Sequence, residues 1–236
     1  TENKIKNILK GLGSTEVYTL SLVPKEFVQK EALKLANPLG KETEYLRTSL
    51  KPSLNQAALD NSGHNEAFHL FEMANIYLPR KGRLPKEKSC LAGIFSNYSY
   101  REAKGVIEAL FFEMNIKVSF TPEESMGFQA SRRVVIKTGN TTLGEFGSLE
   151  NEGLIYYELE TQLLIDNCKE FTAYKPLPKY PPQIEDITLV LPQKTKVGKV
   201  IHSIESVDKR IDTVELTDIY KNAYTFRVYY QDPKKT

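Results

Sequence analysis

Four prolines fall within the nine residues Tyr174–Pro182, at positions 176, 178, 181 and 182, and no other feature of the 236-residue chain limits its folding as strongly. Proline holds φ near about −65° and has no amide hydrogen, so this stretch suits neither a helix interior nor a central strand. It reads as an extended linker at 173–182 between a segment 1–172 and a segment 183–236. The two sides differ in charge, with 21 basic and 22 acidic residues up to position 171 and 11 and 8 after it. The near-balance of the whole chain, 32 Lys+Arg against 30 Asp+Glu, excludes a protein that coats nucleic acid by overall charge, though not a local basic patch. Apolar residues make up 40% of the chain, enough for a sizeable core. Two distant cysteines, Cys90 and Cys168, exclude a disulfide scaffold and a zinc ribbon, and make a reducing, cytoplasmic setting the expectation. No apolar run approaches the roughly 20 residues that a membrane helix needs, and no signal peptide opens the chain, so no membrane is expected as a partner. The start at Thr1, without methionine, suggests a fragment.

Before the linker, the periodicities predict a short helix over Thr1–Leu12, a strand over Glu16–Leu22, a helix from Pro24 to about Leu33 and a loop at Asn37–Gly40. A helix follows from Thr48-Ser49 to Asn61, with Leu50, Leu54, Ala57 and Ala58 on one face. Strands are predicted at Phe68–Leu78 and Lys88–Phe95, joined by the basic loop Pro79-Arg80-Lys81-Gly82-Arg83. Ser99 and Glu102 form a capping box. The helix behind it places Ala103, Val106, Ile107, Leu110, Phe111 and Met114 on one face. Short strands at Ile116–Phe120, Arg133–Lys137, Thr142–Ser148 and Leu154–Leu159 complete the segment. After the linker come a strand at Ile187–Leu191, a helix over Val197–Ile204, and strands at Val214–Tyr220 and Tyr224–Tyr230. This β-α-β-β order is part of a ferredoxin-like β-α-β-β-α-β unit.

Catalytic constellations are scarce. His64 and His69, with Glu66 and Glu72 nearby, lack metal-ligand spacing and read as polar residues flanking a strand. No Gly-x-Ser-x-Gly elbow is present, and Gly144, Gly147 and Gly153 read as turn glycines, not a phosphate loop. The more suggestive feature is the last strand. Its alternation puts Tyr224, Phe226, Val228 and Tyr230 toward the preceding helix and Thr225, Arg227 and Tyr229 on an open face. Arginine and tyrosine on such a face can stack on and hydrogen-bond unpaired bases; a solvated sheet face would read the same.

Several ordered segments resemble the β subunit of bacterial phenylalanyl-tRNA synthetases: Leu35-Ala-Asn-Pro-Leu39 with Leu46-Arg-Thr-Ser-Leu50, His69-Leu-Phe-Glu-Met73, and Ala103-Lys-Gly-Val-Ile-Glu108. Tyr180-Pro181, Asp186-Ile187, Asp218-Ile-Tyr220 and Tyr230-Gln-Asp-Pro233 are similar to its anticodon-binding domain. The resemblance runs from about Gly13 to Thr236. It implies an α+β protein: an antiparallel class II synthetase-like sheet with flanking helices, then a partial ferredoxin-like domain lacking its last helix and strand. The stretch Asn97–Tyr100 is shorter than the family's usual loop. The resemblance further implies a non-catalytic core, a synthetase α subunit as partner in an α2β2 heterotetramer, phenylalanine tRNA as ligand, and no role for DNA. ATP and Mg2+ would be used by the whole enzyme and not bound by this segment. A class II site needs arginines, yet the strand His69–Tyr77 has none, and 144–164 contains neither arginine nor lysine. Arg47, in a class II-like position, is read as a structural contact. No catalytic and no metal-ligating residue is therefore assigned. The residues expected near tRNA are Lys221, Arg227, Tyr229, Lys234 and Lys235. The rival readings are a stand-alone class II ligase that binds ATP itself, and an RNA-binding or regulatory paralogue.

Overall fold

The computed structural model describes residues 1–28, 31–63, 67–150, 153–169, 176, 178–192 and 195–232. The chain divides into two compact units, Thr1–Thr172 and Ala173–Thr236. Most of the prolyl stretch 173–178 lies outside the described residues.

The first unit runs α1 (Glu2–Gly11), β1 (Thr15–Glu16), β2 (Leu22–Val23), β3 (Tyr45–Leu46), α2 (Lys51–Asp60), β4 (Phe68–Leu78), β5 (Lys86–Ser96), α3 (Tyr100–Glu113), β6 (Ser119–Pro122), β7 (Phe128–Thr138), β8 (Thr141–Leu149), β9 (Ile155–Glu160) and α4 (Thr161–Asn167). Its main sheet has seven strands in the order β1-β4-β5-β9-β8-β7-β6. All neighbours are antiparallel except the edge pair β1 and β4, which is parallel.

Successive side chains of a strand point to opposite faces, and here helices cover both. Leu91 and Phe95 of β5 join Ile5 and Leu9 of α1, Ile107 and Leu110 of α3 and Leu164 of α4 in one core. Cys90, Ala92 and Ile94 of the same strand join Leu50, which caps α2, and Leu54 and Ala58 within it in a second core. Burial on both sides explains why β5 reads as a continuous apolar run and not as an alternation. Gly144 of β8 is required by close approach: a Cβ there would collide with the backbone carbonyl of Glu158 on β9.

Helix α3 begins where its capping box predicts, with the Glu102 amide donating to Ser99 Oγ (3.2 Å) and the Ser99 amide to the Glu102 carboxylate (2.9 Å). It ends in a Schellman arrangement. Asn115 has φ 55°, its amide bonds the Phe112 carbonyl, and the Ile116 amide bonds the Phe111 carbonyl. That ending corrects the strand expected over Ile116–Phe120. Ile116 packs into the core as the apolar residue after the cap, and pairing starts only at Ser119.

Two further expectations fail. Among the described residues of the helix expected from Pro24 to about Leu33, only the 3-10 turn Lys25–Phe27 is helical, and Val28 is already extended. The backbone at 33–35 is extended, because it hydrogen-bonds Glu44–Leu46. The strand expected over Glu16–Leu22 joins the main sheet only at Thr15–Glu16; the chain then turns aside, and Leu22–Val23 pairs with β3.

The second unit contains β10 (Gln183–Val190), α5 (Val197–Glu205), β11 (Ile211–Tyr220) and β12 (Ala223–Tyr230). Its sheet is antiparallel in the order β10-β12-β11. Phe226 and Val228 are buried, with Tyr224 and Tyr230 partly buried, against Val197, Val200, Ile201 and Ile204 of α5. The β11–β12 hairpin closes through Lys221 and Asn222, with Lys221 in the left-handed region at φ 56°. The architecture is α+β, a large mixed-layer unit followed by a β-α-β-β unit. No helix among the described residues is long and apolar enough to cross a membrane.

Candidate functional site

On the α2 side, the main sheet leaves part of its surface uncovered beyond the helix. A depression of about 340 Å3 opens there, lined by Lys88 and Cys90 of β5, Arg133 of β7, Glu145 of β8, and Glu158 and Glu160 of β9. Register places Glu145 directly opposite Glu158. Two carboxylates so placed repel unless each finds its own partner. Arg133 holds Glu145 through Nε (2.9 Å) and Nη2 (2.7 Å), and its Nη1 lies 3.4 Å from Glu123. Glu158 accepts from Ser49 Oγ (3.0 Å), from the Tyr156 hydroxyl (2.5 Å) and from the Leu50 amide (3.4 Å). It therefore sits at the start of α2, where unpaired amides favour an anion. Lys88 pairs with Glu160 at 2.8 Å. Burial opposes the charge of Lys88, but the hydrogen bond with Glu160 and the attraction of Glu160 and Glu158 together outweigh it and leave the amine's pKa raised. Burial, reinforced by Glu158, pushes the Cys90 thiol up to about 12, so it is not a thiolate at neutral pH. Both Lys88 and Arg133 thus face carboxylates of the sheet itself.

Arg47 is 2% exposed and structural. Its Nε donates to the Asn75 carbonyl (2.9 Å), and its Nη1 donates to Thr19 Oγ1 (2.8 Å) and to Glu72 Oε1 (3.1 Å). Glu72 also accepts from the hydroxyl (2.6 Å) and amide (3.2 Å) of Thr19. The cluster ties the irregular segment after β1 to β4.

The histidine reading resolves in the same way. His69 Nδ1 lies 2.6 Å from Ser14 Oγ, Nε2 lies 3.2 Å from the Tyr157 hydroxyl, and the ring stacks on Phe95 at 3.8 Å. Burial lowers its pKa to about 3, so the ring is neutral and both nitrogens are engaged. His64 and Glu66 lie outside the described residues. Among the described residues no group of three or more His, Cys, Asp or Glu is placed to hold a metal ion.

In the second unit, Arg227 and Tyr229 share the open sheet face with Thr225, while Lys221 lies at the hairpin turn. Lys234 and Lys235 lie outside the described residues. The open face also carries acids that single-strand alternation did not reveal. Arg227 forms a two-pronged pair with Asp186 on β10, Nε to Oδ1 and Nη2 to Oδ2, both at 2.8 Å. The hydrogen bond lowers the Asp186 pKa and raises that of Arg227. The Tyr229 hydroxyl donates to Glu215 on β11 at 3.2 Å. Asp186, Arg227 and Glu215 form one row across the three strands. Alternation could have put Asp186 on the face of Thr188, but only the strand order brings it beside Arg227. The same holds for Arg133, Glu145, Glu158 and Lys88, which come from four strands.

The large, mainly antiparallel sheet with helices on both faces has a class II synthetase-like fold. Two solved structures of pyrrolysyl-tRNA synthetase from Desulfitobacterium hafniense share it, with TM-scores of 0.53 and 0.54, 14% identity, and coverage of 70% of this chain and 66% of theirs. Residues 1–165 match the family described as the phenylalanyl tRNA synthetase beta chain CLM domain, and the chain belongs to that family. Phenylalanine–tRNA ligase beta subunits of Clostridium acetobutylicum (29% identical, 94% of this chain, 31% of the relative) and Thermotoga maritima (26%, 99% and 34%) are similar to it. The chain spans about a third of the length of these curated relatives.

Proposed function

We propose that this chain is a non-catalytic scaffold and tRNA-positioning part of a cytoplasmic phenylalanine–tRNA ligase. The enzyme attaches phenylalanine to its tRNA with ATP and Mg2+, and its chemistry lies in a partner α subunit. The assembly is an α2β2 heterotetramer. The observation that carries this reading is the row of carboxylates Glu145, Glu158 and Glu160 on the sheet face, each bound to groups of the chain itself. Adenylate chemistry needs cations aimed at the phosphates. Here β4 contains no arginine, β9 and α4 contain neither arginine nor lysine, and Arg133 and Lys88 already face carboxylates. ATP–magnesium does not fit this face. A stand-alone class II ligase would need that fit. The second unit supports tRNA positioning through Tyr229, Thr225, Arg227 and Lys221, Tyr229 offering a ring on which a base can stack.

Calorimetry with ATP and Mg2+ tests the reading, and no binding heat is expected from this chain. A dissociation constant of about 100 μM or tighter, near −5.5 kcal/mol, would sink it. Co-expressed with the α subunit, the full-length protein carrying this chain should charge phenylalanine tRNA. Arg227→Ala with Tyr229→Ala in that complex should weaken tRNA binding, and unchanged affinity across salt concentrations would remove this face from the RNA surface.

A further inference from the structure

Arg227 on the open face of the second unit, and Lys88 and Arg133 in the depression of the first, are held by carboxylates. The tip of the β4–β5 hairpin is different. Residues 79–88 carry Arg80, Lys81, Arg83, Lys86 and Lys88 against one acid, Glu87. Glu87 accepts from the Asn75 side chain, and Lys88 belongs to the depression with Glu160. Among the described residues no ion pair engages Lys81, Arg83 or Lys86, and all three are exposed.

The loop is also built. Arg80 does not reach outward: its Nε donates to the Leu84 carbonyl (3.1 Å) and its Nη2 to the Pro85 carbonyl (3.3 Å), closing the tip upon itself. Gly82 turns the chain at φ 65°. Pro79 and Pro85 stiffen the two strand exits, and pairing resumes at Leu78 opposite Lys86. One arginine thus holds a shape that presents two lysines and a second arginine, with Leu84 between them at 84% exposure. A preformed loop loses little freedom on binding, and exposed cations next to an apolar side chain suit a phosphate-and-sugar surface.

We propose that this tip is an RNA-backbone contact of the first unit, gripping successive phosphates through Lys81, Arg83 and Lys86. It reads no bases, so its contribution is independent of sequence and falls with salt. That the RNA is a tRNA rests on the function proposed above; the phosphate contact itself rests on the loop.

The test measures tRNA binding by the full-length protein in complex with its partner subunit, over a series of salt concentrations, with wild type and K81A/R83A/K86A. Each lost phosphate contact lowers the slope of log affinity against log salt by about 0.7–0.9, so the triple variant should lose about 2–3 from the slope. Its affinity should fall about tenfold or more at about 100 mM salt. Lys81→Arg with Lys86→Arg, which keeps the charge, should retain wild-type binding. An unchanged slope and affinity overturns the proposal. So does loss of subunit assembly with the RNA slope intact, which would make the tip a contact for an acidic protein surface. A complex that charges phenylalanine tRNA but shows no slope change defeats this inference alone. A complex that charges none, yet loses slope in the variant, defeats the ligase reading and leaves the RNA contact standing.

Discussion

In the first unit, every long strand delivers apolar side chains to two helical layers, and the charges near the sheet sit in partly buried, mutually bonded sets. In the second unit one helix covers one face; among the described residues only Val214, Phe226 and Val228 are buried, and the opposite face carries the exposed ion pair Arg227–Asp186. The same residue types therefore do different work. Buried in the first unit, an arginine–carboxylate pair such as Arg47–Glu72 fixes the path of a chain segment, because neither partner can be removed without stranding the other. Exposed in the second, Arg227–Asp186 is solvated and screened, so it sets the electrostatics of a surface more than the stability of a fold.

The sharpest way to break this contrast is Arg47→Ala. It leaves Glu72 buried without its cation and should cost about 3–5 kcal/mol in denaturant unfolding; a small loss would mean that the segment after β1 rearranges freely. Leu110→Ala, at the centre of α3, should cost roughly 2–5 kcal/mol through the cavity it leaves. A loss under about 0.5 kcal/mol would mean that the face is not sealed.

A third prediction uses pH. The folded-state pKa of His69 is about 3, below the ordinary value of 6.5. Between those values the unfolded chain takes up a proton that the folded chain refuses. The contribution is thus intact above pH 6.5 and is lost as pH falls toward 3, at about 1.4 kcal/mol per pH unit. His69→Gln should flatten the stability–pH curve in that window, and an equal slope in both proteins would show that His69 is not held neutral. The smallest effect is expected in the second unit. Arg227→Ala and Asp186→Ala should leave its melting midpoint unmoved, and a clear shift would mean that the pair is structural after all. Hydrogen exchange offers a global check: amides of β10–β12 should exchange faster than those of β4, β5 and β9.

Local signals were legible in the sequence wherever a single element decides them. The capping box at Ser99 and Glu102, the apolar face of α3, the alternation of β12 and its facing toward α5 all stand in the structure. The resemblance to the synthetase family was legible from ordered short motifs. Missing were features set by register and strand order. Nothing around Glu158 in the sequence points to Ser49 at the start of α2, and nothing around Arg227 points to Asp186. The helix expected after Pro24 failed because the backbone at 33–35 found a strand partner in Glu44–Leu46, a contact that propensity does not see.

The strand order has a further consequence, for synthesis and not for binding. Strand β5 pairs with β4 at once through a local hairpin, but its other neighbour is β9, with Cys90 opposite Glu160 and Phe95 opposite Ile155. Until α3, β6, β7, β8 and finally β9 have been made, the run Cys90-Leu-Ala-Gly-Ile-Phe95 presents an unpaired apolar edge. Such an edge templates wrong pairings, and distant strand closure is slow. The middle of this sheet is therefore made well before the strand that closes it.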